Sequence, residues 1–234
     1  LYSSAASDVY KRQLCIMTEP LPKGQQIFLQ RLLAEHTMDD ARCAEVLEDI
    51  ANNPDDEEEE VDMGFDDQNP KSLSQIFQSI NRELTQGFGL EIATMVDPIT
   101  KQKCHAVINP HADSVAKDSF SLIYGPADRH YMRIVLEALV VGGGAEESQL
   151  RSKLINVRAD LPAGLSVSMD RAEVVIENML EEHWLAHDLA TSAKRRDTMN
   201  AKIRLGPRSF LELSHVLTDL GYPQEDLPQF FYYR

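Results

Sequence analysis

The sequence predicts an α+β, mostly helical fold of two tandem domains, each built of three helices closed by a β-hairpin. Three observations carry that expectation. Apolar residues recur at helical spacing in successive segments, and short strand-like runs follow the third helix of each set. The same order of elements then appears twice, on either side of a polar link from Asn109 to Ser119.

At 234 residues the chain suits one large domain or two small ones, each able to bury its own core. No apolar run approaches the roughly 20 residues that span a bilayer. The polar N-terminus lacks an apolar signal core, so the expected setting is intracellular. Cys15, Cys43 and Cys104 are far apart and odd in number, which fits neither a disulfide framework nor a C-x-x-C zinc site. They read as reduced thiols. The net charge of −15 argues against broad nucleic-acid binding, yet nine of those charges lie in Asp55–Asp67, where there is no Lys or Arg. The remaining −6 leaves room for a local basic surface.

Residues 1–16 read as a non-native or disordered tail, because Ser4 to Gln13 resembles a translated library adapter and Met17 begins a plausible native start. The first domain is expected over residues 20–110. Its first helix starts near Gln25 with a stripe of Phe28, Leu29, Leu32 and Leu33, and its second starts at Asp39 with Ala41, Ala44, Val46, Leu47 and Ile50. Pro54 and the acidic run stop that helix, and residues 54–70 read as a disordered, solvated insert. Ser72 and Gln75 form a capping-box pattern for a third helix carrying Leu73, Ile76, Phe77, Ile80 and Leu84, ended by Gly87 and Gly89. Leu90–Val96 and Lys103–Ile108 flank a turn and predict a hairpin.

The second domain is expected over residues 119–222. Pro126 opens a helix with Tyr131, Ile134, Val135, Ala138 and Leu139, and Gly142-Gly143-Gly144 stops it. A shorter helix from Glu146 carries Leu150, Leu154 and Ile155. The third, with Asp170 as N-cap, carries Ala172, Val175, Ile176, Met179 and Leu180. Trp184–Ala186 and Lys202–Leu205 predict a second hairpin, followed by a closing helix with Phe210, Leu213, Leu217 and Leu220. Three helices and a hairpin are the elements of a winged helix, so the fold reads as two tandem winged-helix-type domains.

No motif in the chain assembles an enzyme site. His183 and His187 stand four apart, but the change from helix to strand near Trp184 breaks a shared helical face and no third ligand is evident. Cys104 and His105 adjoin on a strand and point to opposite sides, with His111 beyond them. The three glycines lack the Gly-Lys-Ser/Thr of a phosphate loop. Lys194, Arg195, Arg196, Lys202, Arg204 and Arg208 form the one dense basic patch, readable as phosphate contacts on the second hairpin or as a solvated loop. Trp184, with Phe28, Leu32 and Phe77, reads as core or as a partner-docking anchor. The acidic run reads as a disordered insertion or as a competitor with DNA for basic partner surfaces.

Leu90-Glu91-Ile92 with His105-Ala106-Val107-Ile108-Asn109, then Val174 through Leu185, then Leu205 through Leu213, resemble the hairpin, helix-to-strand junction and glycine turn of the non-structural maintenance of chromosomes element one family. The resemblance spans roughly residues 25–222. It implies a nuclear subunit of the five–six SMC complex in DNA repair and homologous recombination. Its tandem winged helices would pair with a MAGE-type subunit, and with a kleisin they would bridge the SMC heads. It also implies a C-terminal RING-like zinc domain underlying ubiquitin-ligase activity. No Cys or His follows His215, so residues 223–234 read as the start of a linker to a RING missing from this chain. The expectation is no cofactor here, with zinc only in that missing domain. A ubiquitin ligase whose catalytic domain lies beyond Arg234 and a free-standing DNA-binding regulator are the competing readings.

Overall fold

A computed structural model describes residues 21–52, 72–110, 124–141, 148–189, 196 and 198–233. The first half runs α1 (Lys23–Glu35), β1 (Met38–Asp39), α2 (Asp40–Asn52), α3 (Leu73–Phe88), β2 (Glu91–Val96) and β3 (Lys103–Ile108). The second runs α4 (Pro126–Val140), β4 (Gln149–Leu150), α5 (Arg151–Asn156), α6 (Met169–Glu181), β5 (Leu185–His187) and β6 (Lys202–Leu205). After these come α7 (Pro207–Asp219) and a short strand β7 (Phe230–Tyr232). The architecture is α+β and mostly helical, and the order helix, strand, helix, helix, strand, strand occurs twice. The acidic run and Gly142 to Gly144 lie outside the described residues.

Local chemistry explains where the elements begin and end. In α3, Gln75 Oε1 accepts from the Ser72 backbone N–H at 2.9 Å, satisfying a group the helix itself leaves open. Ile76, Phe77, Ile80 and Leu84 bury one face of it. The helix runs through Gly87 and stops at Gly89, whose φ of 67° is left-handed. Asp39 caps α2 by accepting from Arg42 N at 2.8 Å. This start rotates the helix so that Cys43, Val46 and Ile50 are buried, while the alanines predicted for that face, Ala41 and Ala44, are exposed. In α1, Phe28 and Leu32 are buried but Leu33 is exposed, a narrower stripe than predicted. Ser168, not Asp170, caps α6, accepting from Arg171 N at 3.2 Å. Leu150, expected on a helix from Glu146, pairs instead in β4.

Two antiparallel sheets hold these helices, one in the order β1-β3-β2-β7 and the other β4-β6-β5. One core gathers Phe28, Leu32, Cys43, Ile76, Phe77, Ile80 and Ile92. The other gathers Tyr131, Val135, Ile176, Met179, Trp184, Ile203 and Phe210. The β2–β3 hairpin belongs to both. Ile92 and Val107 face the first core, and Ala93, Met95, Cys104 and Ala106 face the second, as strand alternation requires. The halves therefore meet through the first hairpin. Within the segment that reads as the start of a linker, β7 adds to the first sheet with Phe230 opposite Met95 and Tyr232 opposite Ala93.

The turn into α7 depends on a missing side chain. A Cβ on Gly206 would lie 2.2 Å from His183 O and 2.8 Å from Leu185 O, both backbone atoms. Gly206 N donates to Trp184 O at 2.9 Å, so the turn cannot simply move away. Gly206→Ala is expected to cost about 3 kcal/mol through overpacking, lowering Tm by about 10 °C in a chain of this size. Thermal unfolding followed by circular dichroism measures it, and a Tm shift under about 2 °C would show that the junction yields.

Candidate functional site

The densest polar chemistry lies where the two halves meet. Asp97 begins the β2–β3 turn, and its Oδ1 accepts from Ile99 N at 2.7 Å and Thr100 N at 3.2 Å. Its Oδ2 accepts from Arg204 Nη2 of the second half at 3.3 Å. Arg204 Nη1 donates to Leu205 O at 2.9 Å. The side chains of Arg204 and Asp97 are 5% and 3% exposed, so this ion pair is withdrawn from water. Thr37, at the start of the first half's edge strand, is hydrogen-bonded to His183 Nδ1 across the same seam. A cleft of about 630 Å³ opens beside them, bordered by Glu35, Arg42, Glu181 and Arg196.

A second network fixes the helix-to-strand junction behind that seam. His183 leaves α6 with a left-handed φ of 62°. Trp184 Nε1 donates to Glu182 Oε2 at 2.8 Å, and Tyr124 Oη donates to Glu182 Oε1 at 2.6 Å. The Arg208 guanidinium stacks 4.0 Å over the Trp184 ring and donates through Nε to Glu212 at 2.7 Å. Burial raises the Glu212 carboxyl pKa against the pull of Arg208. Ser209 Oγ donates to Trp184 O at 2.6 Å.

These contacts divide the predicted basic patch. Arg196 and Lys202 are exposed. Lys194 and Arg195 lie outside the described residues. Arg204 is a correction: it points into the seam and is held by Asp97, because the Asp97 turn of the first half lies over the end of β6 that carries it. Arg208 is likewise drawn in, its side chain 14% exposed between Trp184, Glu182 and Glu212. Neither guanidinium is offered to a phosphate. Trp184, Phe28, Leu32 and Phe77 are all at most 1% exposed, which puts them in the two cores and not on a docking surface.

The buried histidine and cysteine side chains among the described residues, His105, Cys43 and Cys104, serve packing and hydrogen bonding. His105 Nδ1 is hydrogen-bonded to Thr94 Oγ1 at 2.7 Å and Nε2 to Asp40 at 2.8 Å, on the face opposite Cys104. Burial lowers the His105 pKa, with Asp40 opposing. Burial, then Arg208, lowers those of His183 and His36. Burial chiefly pushes the Cys43 and Cys104 thiols up to about 12, so neither is a ready nucleophile. Among the described residues no three His, Cys, Asp or Glu side chains are grouped to hold a metal ion. His111 lies outside them. Sequence reasoning passed over Asp97 and Thr37, whose partners are 107 and 146 residues away. Only its place in the turn between the two predicted strands hinted at the first.

Structurally this is a two-lobed helix-and-hairpin protein whose lobes share one hairpin as a common wall. Residues 25–213 match the profile of the Nse1 non-SMC component of the SMC5-6 complex, and the chain belongs to that family. Its fold is similar to that of a chain in a solved "Nse1-Nse3-Nse4 complex", with TM-score 0.63 and 15% identity over 86% of this chain and 76% of that one. No individual curated protein matches the sequence.

The seam makes two predictions. Asp97→Asn keeps the turn acceptor but leaves Arg204 a buried cation without its counter-charge, at an expected cost of about 3 kcal/mol. Arg204→Met should restore much of that loss in the double variant. A denaturant double-mutant cycle reads the coupling, and strictly additive losses would show that the pair does not interact. The second concerns pH. Because His36, His105 and His183 titrate below their ordinary value, the unfolded chain takes up protons first as pH falls through about 6.5. Their contribution to stability is complete above that pH and is lost below it, while Glu212 acts in the opposite sense from about pH 4.3 upward. Between about pH 7.5 and 5.5, Tm should fall less steeply in His183→Gln than in the parent chain. Equal slopes would remove His183 from the account.

Proposed function

We propose that the chain is a non-catalytic scaffold piece of a nuclear SMC5-6 assembly acting in DNA repair and homologous recombination. Its lobes act as tandem winged-helix-type modules that dock a MAGE-type subunit, with a kleisin and the SMC heads completing the assembly. The observation that carries this reading is the family match over residues 25–213. The likeness to a chain of an Nse1-Nse3-Nse4 complex supports the choice of partners.

Electrostatics favour a protein partner on the first lobe. A helix laid against duplex DNA needs several cations to neutralise phosphates. The third helix of the first lobe, α3, carries one basic residue, Arg82, and Glu83 sits 3.1 Å from it. Its exposed side is otherwise uncharged: Ser74, Gln75, Gln78, Thr85 and Gln86. A second reading, direct DNA contact, is favoured only by Arg196 and Lys202 on the second hairpin, with Lys194 and Arg195 beside them in sequence. Ubiquitin transfer would require zinc ligands outside this chain.

Co-expression with a MAGE-type subunit tests the docking. A one-to-one complex should survive size-exclusion chromatography at about 0.15 M and about 1 M salt, because buried apolar area is not screened. Separate elution at the lower salt would overturn the proposal. Any duplex binding should weaken steeply with salt, and Arg196→Ala should reduce that slope by about one unit.

A further inference from the structure

After α7 the chain turns back across both cores. Tyr222 is buried with its ring 5.7 Å from Phe210, edge-on. A short 3-10 turn, Gln224–Asp226, lies between Pro223 and Pro228. Leu227 and Phe230 then pack against the second core. Three residues after Phe230, Tyr233 packs against the first core, its ring 5.4 Å from Phe77. Between these anchors Phe231 lies opposite Thr94 in the paired strands β7 and β2.

Asn81, buried on α3, continues the same edge. Its side-chain amide donates to Ile92 O at 3.0 Å and Tyr233 O at 3.1 Å, and its Oδ1 accepts from Ile92 N at 2.6 Å. Both backbone groups of Ile92 therefore face the tail's side of β2. Strand alternation places those of Thr94 on that side as well. An edge buried on both faces, with the Thr94 backbone groups turned toward a neighbouring strand, takes up an extended chain readily. Three paired residues alone would hold weakly, but the anchors at Phe230 and Tyr233 add apolar contact and the tether to α7 raises the effective concentration.

We propose that the β2 edge is a strand-docking groove that residues 227–233 fill in cis, and that this strap locks the two halves into one rigid unit. Phe230 secures it in one core and Tyr233 in the other, so release of the strap opens the seam as well as the sheet edge. The strap is an interaction of the chain with itself and does not depend on any partner.

The test uses the full chain carrying Phe230→Asp and Tyr233→Ser, followed by hydrogen exchange and by titration with a fluorescent peptide of residues 223–233. Exchange should rise at least about tenfold at Thr94 and also in the 202–206 segment across the seam, as local opening exposes both. The peptide should bind the variant saturably and reverse the rise, while the parent chain, already occupied, should not bind it. Phe230→Ala is the milder variant should the double one fail to fold, with the same readings at smaller amplitude. A rise confined to β2 would overturn the locking role. Unchanged exchange in a folded variant, or a scrambled peptide binding equally well, would overturn the groove.

Discussion

The β2–β3 hairpin is covered on both faces, and the rest of the molecule is arranged around that constraint. Ala93 and Ala106 sit opposite each other on the side facing the second core. Two such small side chains keep the wall thin enough for α7 to pack closely on it. Met95 fills the space beside them, a burial that stabilises by roughly 1.5–3 kcal/mol. On the other side the polar members of the wall must satisfy each other, since a buried polar group without a partner is costly. Thr94 and His105 do so at 2.7 Å, and His105 continues to Asp40 on α2. The hairpin is therefore apolar toward the second lobe, while toward the first it combines Ile92 and Val107 with a hydrogen-bonded pair.

The seam's ion pair works on orientation more than on stability. Replacing a buried pair by apolar groups is often neutral or stabilising, so Asp97 and Arg204 are not needed merely to hold the lobes together. Their geometry does something that apolar contact cannot. The carboxylate is already fixed by two turn amides, and the guanidinium by the carbonyl of Leu205, so only one relative placement of the lobes brings both charges into register. Arg208 plays the same part within the second lobe, where Trp184, Glu182 and Glu212 hold it from three sides. Both arginines are thereby removed from the surface that a basic segment in sequence appears to promise.

What the sequence disclosed follows from what is local. The stripes Ile76, Phe77, Ile80 and Leu84, and Ala172, Val175, Ile176 and Met179, are periodic and were readable, as were the hairpins beside their turns. Contacts set by the other lobe were not. Alternation along Lys202, Ile203, Arg204 and Leu205 puts Arg204 on the face away from its own core, which in an isolated domain is water. Only the arrival of the first hairpin turns that face inward. The two-residue strands β1 and β4 carry no periodicity, and Cys43 takes a core place that apolar counting gave to alanines. The aromatic tail read as a linker because its partner strand lies more than 130 residues away in the chain. Family membership was legible because it rests on the order of these local patterns and not on any one of them.

Lobes that share a wall have a consequence for assembly. Binding partners usually lose conformational freedom on docking, and a surface already held in place loses less. Here the cores share a wall, a buried ion pair fixes its angle, and the tail crosses from one core to the other. The outward surfaces of both lobes are thus presented at a set separation. Among the described residues the most exposed large apolar side chains are Phe88, Val141 and Leu189, each at or just beyond the end of a helix or strand and none in a core. Burying such side chains against another protein gains apolar contact without disturbing either lobe, because the packing that defines the fold lies behind them. A chain built this way suits a spacer between partners better than a clamp that must change shape to act.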